Sequence, residues 1–314
     1  MSLEENPVVL VVGATGYTGR TVVQHLLESG EYRVSILVRE KSLDKPSVKE
    51  FKAAGANVLV GDVSQPQDVL EGYLKGVDIL VILTLIMVDQ MPILRAAKQV
   101  GTLKRVVPSD FGPSIPRGVT DMYDKKLDVR EYIKELGLPY TFIEVGWWLS
   151  ILLPCTHAAK ASPVTPKNRV GNQDRKTIIS SWQTIGLLTA KVLNDPRTLN
   201  QVVVVHDGEM SPKEAFALGE KVTGEDFSDY EKIPDEVILE RAKSTDVLTR
   251  LCNQYFTSLF IRGDNVLSGA KARGALDARA LYPDVPYPDL EAEAKDIYNN
   301  PYNPDLSVVD GMTV

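Results

Sequence analysis

Short apolar runs alternate with stretches of helical spacing through the first half of the chain. VVLVV at 8–12 is a continuous β-branched run, the pattern of a parallel strand covered on both faces. Over 18–29, Val22, Val23, Leu26 and Leu27 fall on one side of a helix. VSILV (34–38), NVLVG (57–61), DILVIL (78–83), RVVPS (105–109) and YTFIEV (140–145) give five further strands. Helical stretches at 45–55, 66–75, 92–99 and 121–136 separate them. This βαβα order predicts an α/β fold with a doubly wound parallel sheet.

The pattern changes after residue 146. Residues 146–180 hold Trp147, Trp148 and several prolines, with little periodicity. A helix at 182–193 and a strand at 201–205 follow. Ser-Pro-Lys-Glu at 211–214 is a capping box with proline at the first helical position, and it opens a helix to about Val222. The remainder to residue 298 reads as mostly helical, and the last 14 residues as an extended stretch over the surface. The expectation is a smaller, mostly helical domain at 147–314, covering a substrate, with some segments rejoining the sheet of a first domain at 1–146.

Composition narrows the function. A chain of 314 residues can build a large core and one or two domains. A formal net charge of -7 argues against nucleic acid as a main partner, since phosphate needs a basic face. It leaves room for a local basic pocket. Cys155 and Cys252 make neither a disulfide framework nor a metal cluster, and both are expected as reduced, buried or half-buried thiols. The start of the chain lacks the basic, long apolar pattern of a signal peptide. ILVILTLIMV at 79–88 falls short of the roughly 20 residues a membrane helix needs. A cytoplasmic protein without membrane contact is expected.

The strongest motif is GATGYTG, Gly13-Ala14-Thr15-Gly16-Tyr17-Thr18-Gly19, placed after a strand and at the start of a helix. That context marks a dinucleotide-binding loop in a Rossmann-type sheet. Gly13 serves the tight turn, Gly16 the approach of a pyrophosphate, and Gly19 the close packing of helix on strand. The second strand ends in Arg39, with Lys41 and Lys45 after it. A guanidinium there favours the 2′-phosphate of NADP(H) over the bare ribose of NAD, although Glu40 could face the same ribose. Asp62 and Thr84, at the ends of the third and fourth strands, are further candidate cofactor contacts.

Candidate chemistry is sparse. No tyrosine has a lysine four residues on, so the usual short-chain dehydrogenase pair is missing. His25, His157 and His206 are scattered, which gives no metal site; His25 reads as structural and His157 as a candidate pocket residue. Lys126 and Arg130 are four apart and share a helix face. Two cations so close lower each other's proton affinity, which suits Lys126 to general acid or base work.

These motifs together resemble the isoflavone reductase-like group of atypical short-chain dehydrogenases. That group includes phenylcoumaran benzylic ether reductases and pinoresinol–lariciresinol reductases and overlaps the NmrA-like proteins. The resemblance rests on GATGYTG, LVRE at 37–40, GDV at 61–63, Asp89-Gln90, KRVVPSDFG at 104–112, Lys126 with Arg130, and GLPYT at 137–141. DPRTLN at 195–200 and GALDARALYPD at 274–284 match more loosely. The resemblance implies that Lys126 is a catalytic proton acceptor beside the nicotinamide and Arg130 its partner, both counted with the cofactor site. It implies that Arg39 and Lys45 bind the 2′-phosphate, and that Ser109 and Phe111 flank the nicotinamide, with Asp110 in place of glutamate. Two departures come after Pro139-Tyr140-Thr141: Glu144 replaces a small residue, and Gly146 stands where asparagine is expected. Both positions are expected near the substrate, where Trp147 and Trp148 are candidate stacking partners for an aromatic ring.

The leading expectation is an NADPH-dependent reductase of a small aromatic metabolite, monomeric or homodimeric. Its alternatives are an NmrA-like dinucleotide sensor that regulates a partner without turnover, and an isomerase or epimerase using the cofactor transiently.

Overall fold

The computed structural model describes residues 6–85, 87–162 and 164–302. Five strands form one parallel sheet: β1 (Val8–Val12), β2 (Arg33–Val38), β3 (Asn57–Val60), β4 (Ile79–Ile82) and β5 (Arg105–Val107). Their order is β3-β2-β1-β4-β5, so the winding reverses between β1 and β4. The connecting helices are α1 (Tyr17–Ser29), α2 (Pro46–Ala53), α3 (Gln67–Leu74), α4 (Met91–Val100) and, after β5, α5 (Asp121–Glu135).

Strand β1 explains the sandwich. Val9 and Val11 pack into one core with Val22, Val23 and Leu26 of α1 and with Ile185 and Leu188 of the helix Trp182–Asn194. Leu10 and Val12 point the other way, into a core with Leu70, Leu94 and Ile133 of α3, α4 and α5. Alternate residues of a strand face opposite sides, so only an all-apolar run satisfies both cores.

A sixth strand, β6 (Thr141–Glu144), continues this sheet through a parallel bridge between Val106 and Tyr140. Beyond β6 lie Gln201–Val204 and Leu276–Asp277, both parallel. A third core gathers Tyr123, Trp147, Leu149, Ala215, Tyr255, Phe256 and Ile297 beneath the helices of the C-terminal half. The capping box at Ser211 is present in full, with Glu214 accepting from the Ser211 amide at 2.8 Å.

Residues 146–180 are not one irregular loop. They contain strands Trp147–Trp148, Arg169–Val170 and Thr177–Ser180 and the single turn Leu149–Leu152. Pieces of two to four residues are too short to print a period on the sequence. The extended stretch expected at the C-terminus lies, from residue 303 on, outside the described residues. Among the described residues no helix is long and apolar enough to cross a membrane.

The join of β5 to β6 depends on one buried cation. Arg105 donates to the Val192 carbonyl and the Thr198 hydroxyl at 2.7 Å, the Asp195 carbonyl at 2.9 Å and the Thr141 hydroxyl at 3.0 Å. Removing the guanidinium orphans several buried acceptors at once. Arg105→Leu is expected to cost roughly 3 kcal/mol, read from urea unfolding. A loss below about 1 kcal/mol would mean that the network is dispensable.

Candidate active site

The site begins where the sheet reverses, since in open α/β sheets ligands settle outside the carboxyl ends of the strands at that point. Gly13 ends β1 with φ +85°, and a Cβ there would strike the Leu83 carbonyl after β4. A Cβ on Gly19 would strike the Gly13 carbonyl, so α1 can approach β1 only without a side chain. The Gly16 amide closes the turn on the Gly13 carbonyl at 3.1 Å. No side chain caps α1. Its first amides, Ala14, Thr15 and Thr18 around them, form a cradle suited to a phosphate.

The basic rim lies beside this cradle. Arg39 follows β2 on the surface, with no ion pair among the described residues, and Lys45 reaches back to within 3.5 Å of the Thr15 hydroxyl. Glu40, also exposed, opens the turn Glu40–Ser42. Asp62 uses one oxygen on the Ser64 amide. The Thr84 hydroxyl is buried and unpartnered, and its carbonyl accepts from the Ser109 hydroxyl. An orphaned hydroxyl beside an anion cradle fits a dinucleotide lying across the strand ends.

Beyond Ser109, four charges are buried together. Lys126 and Arg130 face inward from α5, as helical spacing requires. Arg130 Nε donates to Asp110 Oδ2 at 2.6 Å, and Arg130 Nη2 to Glu144 Oε1 at 2.9 Å. The Tyr123 hydroxyl donates to the same Glu144 oxygen at 2.6 Å. Lys126 Nζ donates to the Asp110 carbonyl at 2.8 Å. A Cβ on Gly112 would come within 2.7 Å of that nitrogen, so the glycine leaves the amine its space. Burial pushes the Lys126 amine down to about 8; the Asp110 carboxylate resists, Arg130 pushes the same way as burial, and Glu144 resists. Burial raises the Glu144 carboxyl, yet Arg130 and the Tyr123 hydroxyl hold it below the usual carboxylate range. Phe111 is buried in the same loop, and Ser109 is fixed by its amide on the Gln90 side chain at 2.9 Å.

The two adjacent tryptophans part company, as neighbours on a strand must. Trp148 meets Trp182 at 5.1 Å, and Trp182 stacks on Tyr17 of the glycine loop at 5.7 Å. Tyr302 completes this aromatic group, 4.6 Å from Tyr17. Trp147 turns instead into the third core against Tyr255. His157 joins neither group. It lies at the surface, bonded to Glu225 at 2.6 Å and Asp229 at 3.1 Å and stacked on Phe227. The two carboxylates raise its proton affinity. Glu144, expected near a substrate, sits behind Arg130 with only 3% of its surface exposed.

Sequence reasoning gave Tyr123 and Trp182 no role, and Asp110 and Gln90 entered only as parts of matching motifs. Tyr123 carried a usable signal, being three residues before Lys126 and seven before Arg130 on one helix face.

The chain has relatives among known proteins. A phenylcoumaran benzylic ether reductase of Pyrus communis is 29% identical over 300 residues, covering 90% of this chain and 96% of that protein. The asnovolin J 5′,6′-dehydrogenase of Aspergillus novofumigatus is 30% identical over 322 residues, covering 95% and 97%. The structure of AtPrR2 with NADP+ and (+)-pinoresinol superposes with a TM-score of 0.74 at 25% identity, over 93% of this chain and 99% of that one. The NmrA-like family model matches residues 5–292, the glycine cradle and the buried charges included, and the chain therefore belongs to the NmrA-like family.

Proposed function

We propose that the chain is an NADP(H)-dependent reductase of a small aromatic metabolite, with Lys126 as its proton acceptor. The observation that carries this reading is Lys126 itself. It is a buried amine on α5, brought to about 8 and held by one hydrogen bond to the Asp110 carbonyl, in the loop that Ser109 and Thr84 tie to the dinucleotide cradle. The named activities of its relatives, phenylcoumaran ether reduction among them, and the NADP+ and pinoresinol of AtPrR2 support the same reading.

The division of labour follows from the geometry. The amides of the Gly13–Gly19 loop and the start of α1 would hold the pyrophosphate, and Arg39 with Lys45 the 2′-phosphate. Bound reduced nicotinamide supplies hydride. Lys126 near neutral pH is partly the free amine and takes a proton from a substrate hydroxyl as charge shifts toward the ring. Asp110 fixes the amine through its carbonyl and fastens Arg130 through its carboxylate. Trp148, Trp182 and Tyr17 offer apolar faces against which an aromatic substrate can pack.

Three outcomes are expected. Nicotinamide fluorescence titration should show NADPH binding at least ~10-fold tighter than NADH, with Arg39→Ala removing most of the difference, since a charged hydrogen bond is worth about 1.5–3 kcal/mol. Equal binding of both would place the ribose site under Glu40 instead. Lys126→Met should still bind NADPH but lose at least ~100-fold in turnover of a phenylcoumaran ether or pinoresinol. Full turnover in that variant sinks the base assignment, and no NADPH oxidation by any aromatic substrate would favour a sensor. The sign of the pH dependence is fixed: only the neutral amine accepts a proton, so kcat should rise through about pH 8 and level off above it.

A further inference from the structure

The Tyr123–Glu144 pair lies outside the reaction described above, yet it is built with care. Glu144 Oε1 accepts from the Tyr123 hydroxyl at 2.6 Å and from Arg130 Nη2 at 2.9 Å. All three side chains are buried. Arg130 is thereby fastened on two sides, to Asp110 in the loop after β5 and to Glu144 at the end of β6. The guanidinium also lies 5.2 Å from the Phe142 ring centre, which fixes its plane.

The charges balance only with Glu144 counted. Lys126 and Arg130 give two positive charges, Asp110 and Glu144 two negative ones. With Asp110 alone, a protonated Lys126 would leave an excess cation among buried side chains, at high cost. We propose that Glu144 is a positioning residue, held by Tyr123, which keeps Arg130 fixed away from Lys126 and offsets its charge so that the amine can carry a proton during the reaction. This rests on the reading of Lys126 as the proton acceptor. Arg130 depresses the proton affinity of Lys126, and Glu144 raises it. The charged groups acting on the amine are Asp110 from the β5 loop, Arg130 from α5 and Glu144 from β6, while Tyr123 acts on Glu144 and Arg130. Tyr255, from the helix Val247–Phe256, feels Asp110 from the other side. Behind them Arg273 holds Ser114 at 2.8 Å.

The test reads the amine directly and needs no substrate. The full chain is labelled at lysine Cε with 13C, and the Lys126 resonance is assigned by its loss in Lys126→Met. The native midpoint is expected at about 8. Glu144→Gln should lower it by about one pH unit, and Glu144→Asp should recover most of the shift. An unmoved midpoint in folded Glu144→Gln overturns the proposal. Should that variant fail to fold, Tyr123→Phe with Glu144→Met removes the tyrosine donor together with its acceptor and leaves Arg130 paired to Asp110 alone; it should lower the midpoint equally. Failure of both to fold makes the pair a requirement of the fold and overturns the positioning role. A midpoint that shifts while Lys126→Met keeps full turnover would uphold the electrostatic coupling and sink the catalytic reading instead.

Discussion

Burying the Arg130 guanidinium is the constraint on which the site is organised. A cation taken out of water is tolerated only with counter-charges in good geometry. Here they come from two other segments, Asp110 after β5 and Glu144 at the end of β6. Satisfying Arg130 therefore fixes the β5 loop, α5 and β6 against one another. Lys126, one turn before Arg130, is then delivered to the Asp110 carbonyl without a partner carboxylate of its own. Its lowered proton affinity follows from that placement, because a single carbonyl does little to offset burial.

What the sequence made legible was local. VVLVV declared a strand buried on both faces because β1 supplies two cores at once. Lys126 and Arg130 were recognisable as a pair because helical spacing alone puts them on one face. The carboxylates that complete the pair sit 20 and 14 residues from Arg130 along the chain, on elements of their own. No spacing rule links them, and Glu144 looked like a substrate-facing departure. Trp147 and Trp148 show the same limit: both read as candidate stacking partners, and which one faced the third core depended on Tyr255, more than a hundred residues on. His157 gave no sign of the acids at 225 and 229 that claim it.

Electrostatics connects the two halves of the site. The chain carries a net charge of -7, a field that opposes the approach of a dinucleotide bearing several phosphates. At physiological ionic strength, however, charges beyond about 8 Å are largely screened, so what a phosphate meets is the local rim. There the exposed Arg39 and Lys45 flank uncapped helix amides. Deeper in, Asp110 and Glu144 offset the charges of Arg130 and the protonated Lys126 amine. The exposed rim and the buried charge cluster are thus separate sets of residues. A surface substitution can alter how the dinucleotide is held while the Lys126 environment, closed by Asp110, Arg130, Tyr123 and Glu144, stays as it is.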